Sequence, residues 1–383
     1  MQLSKRYHPE RYRITRPFAK KIATIYQSLT GTETIANSET FIAITKHIQE
    51  TYNDEIMGLP FEQRPENLQL AMHECSLAIH YAAYVCHGRQ VFHFNDEITE
   101  QFRQTDVDEI KAGALLFPYS SFYMSFGKQL DLDLYGDSRF VDGAYISIIS
   151  SPDEKILQIL LSTCPDDSHN TQGRFDWILH EDKYYYLPLS LEIASEPISL
   201  VAKHALDDDL AHTRQSGERA ILEYEKMGAR HRRAESLKTE LAETNSGYLA
   251  FLEALKLIIN GLCYLSAYPD DVELRWPFDT PKPLLENINR AQKPKDIQRN
   301  TSKLTSMGYT KIHFCGRSFE PKYTENQGLG SQVRAHWRRG HWRNQPYGPQ
   351  LSGRRLIWIM PVLVRQDKAD SDQLTGHIYC SNR

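Results

Sequence analysis

Two histidines sit inside a run of arginines near the C-terminal end of the chain. From Asn326 to Gln366 there are seven arginines (334, 338, 339, 343, 354, 355 and 365), no lysine and no acid. Three of the five tryptophans (337, 342 and 358) fall in the same window. His336 and His341 among arginines form a set that can cut RNA without a metal. One imidazole takes the proton of a 2′-hydroxyl and the other protonates the leaving 5′-oxygen. Arg334, Arg338, Arg343 and Arg354 then hold phosphate and stabilise the charge of the transition state. Tyr347 would stack on a base or donate to a phosphate oxygen. No carboxylate lies nearby to hold magnesium, and no metal or cofactor is expected. Two non-catalytic readings stand beside this one. Arginine alternating with aromatics suits phosphate contact and base stacking without chemistry. It also suits cation–π packing in an interface with a protein partner, such as a regulator.

Geometry decides which residues share a face. In an uninterrupted strand the two-residue period scatters the polar groups over both faces. A bulge at Arg339-Gly340 would flip the phase. It would gather Arg334, His336, Arg338, His341 and Arg343 on one face and leave Val333, Ala335, Trp337 and Trp342 for a core. A tight turn at 338–340 is the competing geometry, with the two histidines facing across a hairpin. Arg354 or Arg355 would complete the phosphate site from a neighbouring strand, and Pro361 marks that strand as an edge or a bulge.

Other constellations carry less. His73, His80 and His87 recur every seven residues on one predicted helix, too far apart to share a metal. His204, Asp208 and His212 are spaced for one helix face, which cannot fill a coordination shell alone. His313 and Cys315 share a strand face, where a buried thiol is expected unless their strand pairs with the Arg/His segment. Walker, G-x-G-x-x-G, G-x-S-x-G and H-E-x-x-H motifs are missing, so nucleotide-driven, Rossmann redox and hydrolase-elbow chemistry lack support. Six scattered cysteines point to reduced thiols and a cytoplasmic setting. The N-terminus lacks the apolar core of a signal peptide, and the longest apolar run is broken at Asn260-Gly261, so no membrane partner is expected.

Charge is distributed unevenly. The arginine window carries +7 in a chain of net charge −4, leaving −11 elsewhere. The local polarity predicts an anionic partner, RNA or DNA phosphates, at the C-terminal end.

The elements that must position this segment read as an α+β fold. Residues 1–113 form an N-terminal helical region, with one helix over 66–87 and another over 97–112. Residues 114–195 form a central antiparallel sheet, with hairpins turning at 151–154 and 180–183. Residues 196–266 form a helical pair broken at Asn245-Ser246-Gly247, and 267–308 a Pro-rich connector with one short helix. Residues 309–383 form a small Arg/Trp-rich β module with strands at 309–315, 356–364 and 377–380.

The stretch H-W-R-R-G-H-W-R-N-Q-P-Y-G-P (336–349), followed by R-R-L-I-W-I-M-P (354–361), resembles a C-terminal motif of uncharacterised bacterial proteins encoded near prophages and plasmids. The block Leu116–Tyr123 is similar to a segment of the same proteins. Those proteins more often have a second glycine where this chain has Gln350. The resemblance implies a mobile-element, phage-defence or toxin–antitoxin role and nothing finer. The sequence therefore predicts a nucleic-acid-targeting protein, either a metal-independent endoribonuclease or a binding module.

Overall fold

Strand segments such as Ile156-Leu-Gln-Ile-Leu-Leu161 are apolar at successive positions, and such strands need cover on both faces. That cover dictates the architecture. The computed structural model describes residues 7–16, 19–30, 46–47, 50, 75–126, 132, 139–150, 155–165, 184–226, 232–277, 280–307, 309–317 and 336–364. The fold is α+β. A seven-stranded sheet takes β1 (Val91–Phe94), β3 (Ser121–Ser125), β4 (Arg139–Ser150), β5 (Lys155–Pro165), β6 (Tyr184–Ser190), β7 (Val272–Arg275) and β8 (Ile312–Cys315). Its order is β6-β5-β4-β3-β1-β8-β7. Strands β3 to β6 form the expected antiparallel run, whereas β1 lies parallel to both β3 and β8.

The two-residue period divides the sheet's side chains between two cores. Phe122, Met124, Ala144, Ile146, Ile159 and Leu161 face α5 (Ile198–Lys226) and α6 (Arg232–Ala267). Tyr123, Tyr145, Ile149 and Leu160 face α1 (His8–Thr15), α2 (Ala19–Thr30) and α3 (Cys75–Cys86). By composition, Gly247–Ala267 is long and apolar enough to cross a membrane, but 67% of its apolar window is buried here, as the main core helix.

The second core contains a buried charge. The Arg11 guanidinium, 1% exposed, lies 2.7 Å from Asp142 and donates to the Thr163 carbonyl at 3.1 Å. Asp142 is the extra residue of a bulge, since Val141 pairs with Thr163 and Gly143 with Ser162. Its carboxylate also accepts from Ser162 at 2.8 Å and Tyr123 at 3.3 Å. A Cβ at Gly143 would lie 2.2 Å from the Tyr123 hydroxyl, so only glycine permits this approach. Beside the pair, His8 Nδ1 lies 3.0 Å from the Tyr145 hydroxyl.

Several local expectations need correction. The helix expected over 97–112 is α4 (Asp96–Arg103), because β2 (Thr105–Asp106) is drawn into pairing with a C-terminal strand. Asn245-Ser246-Gly247 lies within α6, where the buried apolar face from Ala250 to Tyr264 outweighs roughly 1 kcal/mol for a helical glycine. The Pro-rich segment carries β7, α7 (Lys282–Arg290) and α8 (Pro294–Ser306) rather than one short helix. Strand β8 joins the central sheet, not a C-terminal module. His73, the hairpin turn expected at 180–183 and the strand expected at 377–380 lie outside the described residues.

Two outcomes follow. Arg11→Met should cost about 3 to 5 kcal/mol in urea unfolding by stranding a buried carboxylate. Adding Asp142→Asn should recover part of that loss, and a harmless single substitution would contradict the buried pair. Burial also lowers His80 and His93 to about 4, and lowers His8 together with Arg11 and Arg16. The unfolded chain therefore binds more protons below about 6.5. Stability present above pH 6.5 should fall as pH drops toward 4, by on the order of 3 kcal/mol for His80 alone. A flat unfolding midpoint between pH 7 and 4.5 would contradict this.

Candidate nucleic-acid interface

The arginine segment forms an antiparallel arm. One side comprises β9 (His336–Arg338) and β10 (Gly340–Tyr347); the other comprises β11 (Gly353–Ile359) and β12 (Val362–Val364). Arg338 pairs with Val362, and His341 with Ile359, so three steps on each side separate the pairs. The arm has no extra residue, and the bulge expected at Arg339-Gly340 is not there. No tight turn folds His341 back on His336 either. Gly340 has another role. Its N–H donates to the Gln104 carbonyl at 2.9 Å, and a Cβ would lie 2.6 Å from Pro361 Cδ and 2.7 Å from Thr105 Oγ1. It is the point where the arm touches β2.

Tryptophan fixes the arm to the body. Trp342 and Trp358 pair across the strands, with rings stacked at 5.8 Å and only 5% and 7% exposed. Each indole N–H has a partner, as burial requires. Trp342 Nε1 donates to Asn260 Oδ1 at 2.7 Å and Trp358 Nε1 to Thr105 Oγ1 at 3.0 Å. The Asn260 amide in turn donates to the carbonyls of Lys256, Phe102 and Thr105 at 2.9, 3.1 and 3.3 Å. Phe102 and Tyr264 pack on the Trp358 ring. Trp342 therefore lies on the core face, as expected, but without the bulge from which that placement was argued. Asn260 and Thr105 are the supporting residues that sequence reasoning missed. The one signal was an asparagine inside Leu257-Ile-Ile-Asn-Gly-Leu262.

The opposite face is open. Arg339, His341, Arg343 and Tyr347 are exposed, and Arg355, directly across from Gln345, joins them. The Arg343 guanidinium donates to Gln345 Oε1. Arg354, paired with Pro346, belongs to the other face and is exposed because the arm extends past the body there. Burial pulls the Lys256 ammonium near the arm's base downward, and Arg339 pushes the same way. His336 and Arg338 lie in β9, and Arg334 falls outside the described residues. The register thus sets His341, Arg343 and Tyr347 along one face, with Arg355 added, and Arg339 lies exposed near the arm's base.

The arm ends in a tight turn. Gly348, Gln350 and Leu351 have φ of 80°, 53° and 57°. For the latter two this left-handed backbone costs of the order of 1 to 3 kcal/mol each. Ser352 closes the turn onto the Pro349 carbonyl through both N–H and hydroxyl.

The remaining candidates lie elsewhere. His313 bonds Gln90 at 2.8 Å and stacks on Phe92, and β8 pairs with β1 and β7, not with the arm. Burial, with Asp271, pushes the Cys315 thiol upward, away from nucleophile behaviour. His204 lies 3.8 Å from Glu196. Among the described residues, no three His, Cys, Asp or Glu side chains cluster as a metal site needs.

Residues 92–366 match the profile of the AcrVA2-like family, described as the anti-CRISPR type V subtype A2 family. The chain belongs to that family. The matched span contains the arm and its supports Thr105 and Asn260, while α1 to α3 and Arg11 lie before it. The mobile-element and defence setting expected from the sequence agrees with this membership; RNA cleavage and a toxin–antitoxin role gain nothing from it. No curated protein sequence matches the chain. The crystal structure of AcrVA2 overlaps it at a TM-score of 0.37 and 14% identity, covering 93% of this chain and 97% of that one. That overlap is too loose to argue geometry from.

Within this family member, Trp342→Ala should cost about 3 to 5 kcal/mol by urea unfolding. Asn260→Ala should cost less, and the double variant should fall short of the sum of the two, because each removes the same hydrogen bond. Strict additivity would contradict the Trp342–Asn260 contact.

Proposed function

We propose that this chain is an anti-CRISPR protein directed against type V systems, and that it works by binding rather than by cleavage. The contact surface in this reading is the open face of the arm, and the ligand is nucleic-acid phosphate. The observation that carries the proposal is the set Arg339, Arg343 and Arg355, exposed beside His341 and Tyr347 on a strand pair fixed to the core by two buried tryptophans. Arginine on a rigid scaffold suits phosphate, because little side-chain order is lost per bond formed. Exposed Tyr347 offers a stacking surface beside the cations.

Cleavage through His336 and His341 is the competing reading. It needs both imidazoles at one phosphate. Five residues of extended backbone separate their Cα atoms by roughly 16 Å, which favours binding over acid–base work.

The test uses purified protein with labelled RNA and DNA, with and without EDTA. Binding should weaken steeply with salt, and Arg343→Ala and Arg355→Ala should each lower the log–log slope by about one. His341→Ala should leave the slope nearly unchanged and no variant should cleave. Salt-independent affinity, or none, would move the arm to a protein-binding role. Cleavage that His336→Ala abolishes would restore the ribonuclease.

A further inference from the structure

The end of the arm is built unlike its base. At the base, Trp342 and Trp358 bury one face against α6. Beyond Asn344 that cover ends, and Tyr347, Pro349, Gln350, Leu351, Arg354 and Arg355 are all exposed. From the Trp342–Trp358 pair to the Tyr347–Gly353 pair is five residues, so the ribbon extends about 16 Å past its anchor. Its tip is apolar, with Leu351 63% and Tyr347 53% exposed. Two adjacent non-glycine residues there, Gln350 and Leu351, hold positive φ, which a bulky side chain rarely adopts. Such strain persists only where the surroundings impose it, and it tends to collect at working surfaces. Here Leu351 N–H bonds Gly348 O, and Ser352 bonds Pro349 O twice, so the turn itself fixes Leu351 outward.

The cations around this tip point to its ligand. Arg343 and Arg355 lie on one face of the ribbon and Arg354 on the other, and no acid occurs between Asn326 and Gln366. A pocket on a protein would meet an apolar tip with opposite charge on whichever side faces its rim. A groove of duplex nucleic acid has a phosphate row along each wall, and so requires cations on both faces of an inserted ribbon. Apolar Leu or Pro wedges flanked by basic residues are a known means of unstacking a base step.

We propose that the ribbon end is a wedge for duplex DNA, in which Arg343, Arg355 and Arg354 clasp the two phosphate rows while Pro349 and Leu351 enter between adjacent base pairs. This rests on the phosphate-binding reading of the same arm and narrows its ligand to a duplex that is locally unstacked.

The experiment mixes full-length protein with a short DNA duplex carrying 2-aminopurine at one step, a base whose fluorescence rises on unstacking, and measures binding by anisotropy in parallel. The parent protein should bind at low salt and raise the fluorescence. Leu351→Ala and Pro349→Ala should each remove most of that rise, with affinity falling by less than about tenfold because the phosphate contacts supply most of it. Gln350→Gly, which relieves the backbone without touching the wedge, should keep the rise. Binding by the parent with no rise, or a rise unchanged in both wedge variants, overturns the wedge and leaves the phosphate-binding proposal standing. No binding to duplex, RNA or single-stranded DNA overturns both. Loss of type V inhibition in Leu351→Ala without any unstacking by the parent overturns the duplex in favour of a protein pocket.

Discussion

The Asn260 side-chain amide sits at the centre of the contacts that join the arm to the rest of the protein. Asn260 lies in the most apolar stretch of α6, fully buried, where an unpaired amide would be costly. Its oxygen accepts from the Trp342 indole, and its nitrogen is spent on carbonyls at the end of α4, in β2 and in its own helix. Thr105 gives its hydroxyl to the Gln101 carbonyl while accepting from Trp358. The main core helix, a short helix and the C-terminal arm are therefore locked by one network, which makes the arm a rigid extension of the core rather than a loose tail. The proposed binding role relies on this anchoring, because it sets the positions of the arginines before a ligand arrives.

The sheet explains why the core can bear such a load. Strands with apolar residues on both faces must be sandwiched, and α5 with α6 on one side and α1 to α3 on the other supply that. The N-terminal layer is held differently from the C-terminal one. It carries the Arg11–Asp142 pair, whose charges are excluded from water and satisfied by Thr163, Ser162 and Tyr123. A pair of this kind adds little net stability against an apolar alternative, but removing one partner strands the other buried charge. The helices α1 to α3 of that layer precede the span matched by the family profile, whereas Asp142 and the arm lie within it.

Legibility followed the range of the interaction. The hairpin of β4 and β5 could be read from the sequence, because local periodicity and a nearby turn determine it. Gly340 was visible as an anomaly but misread. Its reason is the approach of Thr105 and Pro361, the first of them 235 positions upstream, and no local pattern encodes that. Either Arg354 or Arg355 was expected to complete the site from the neighbouring strand, and only the register, which no local pattern encodes, puts Arg355 on the face of His341 and Arg343. Likewise Arg11 and Asp142 are 131 residues apart, and each alone reads as an ordinary surface charge. The break at Asn245-Ser246-Gly247 failed for the opposite reason, since tertiary burial overrode local propensity.

The central claim is that the open, basic face of the arm does the protein's work against type V immunity. The most direct measurement is a type V interference assay in cells expressing either the parent or an Arg339→Glu, Arg343→Glu, Arg355→Glu variant. Thermal melting of the purified proteins is the control for folding. These three side chains are exposed, so the variant should melt within a few degrees of the parent, since surface changes are usually within about 0.5 kcal/mol each. The account predicts that the folded variant no longer protects the invading DNA. A variant that melts like the parent and inhibits just as well would contradict it.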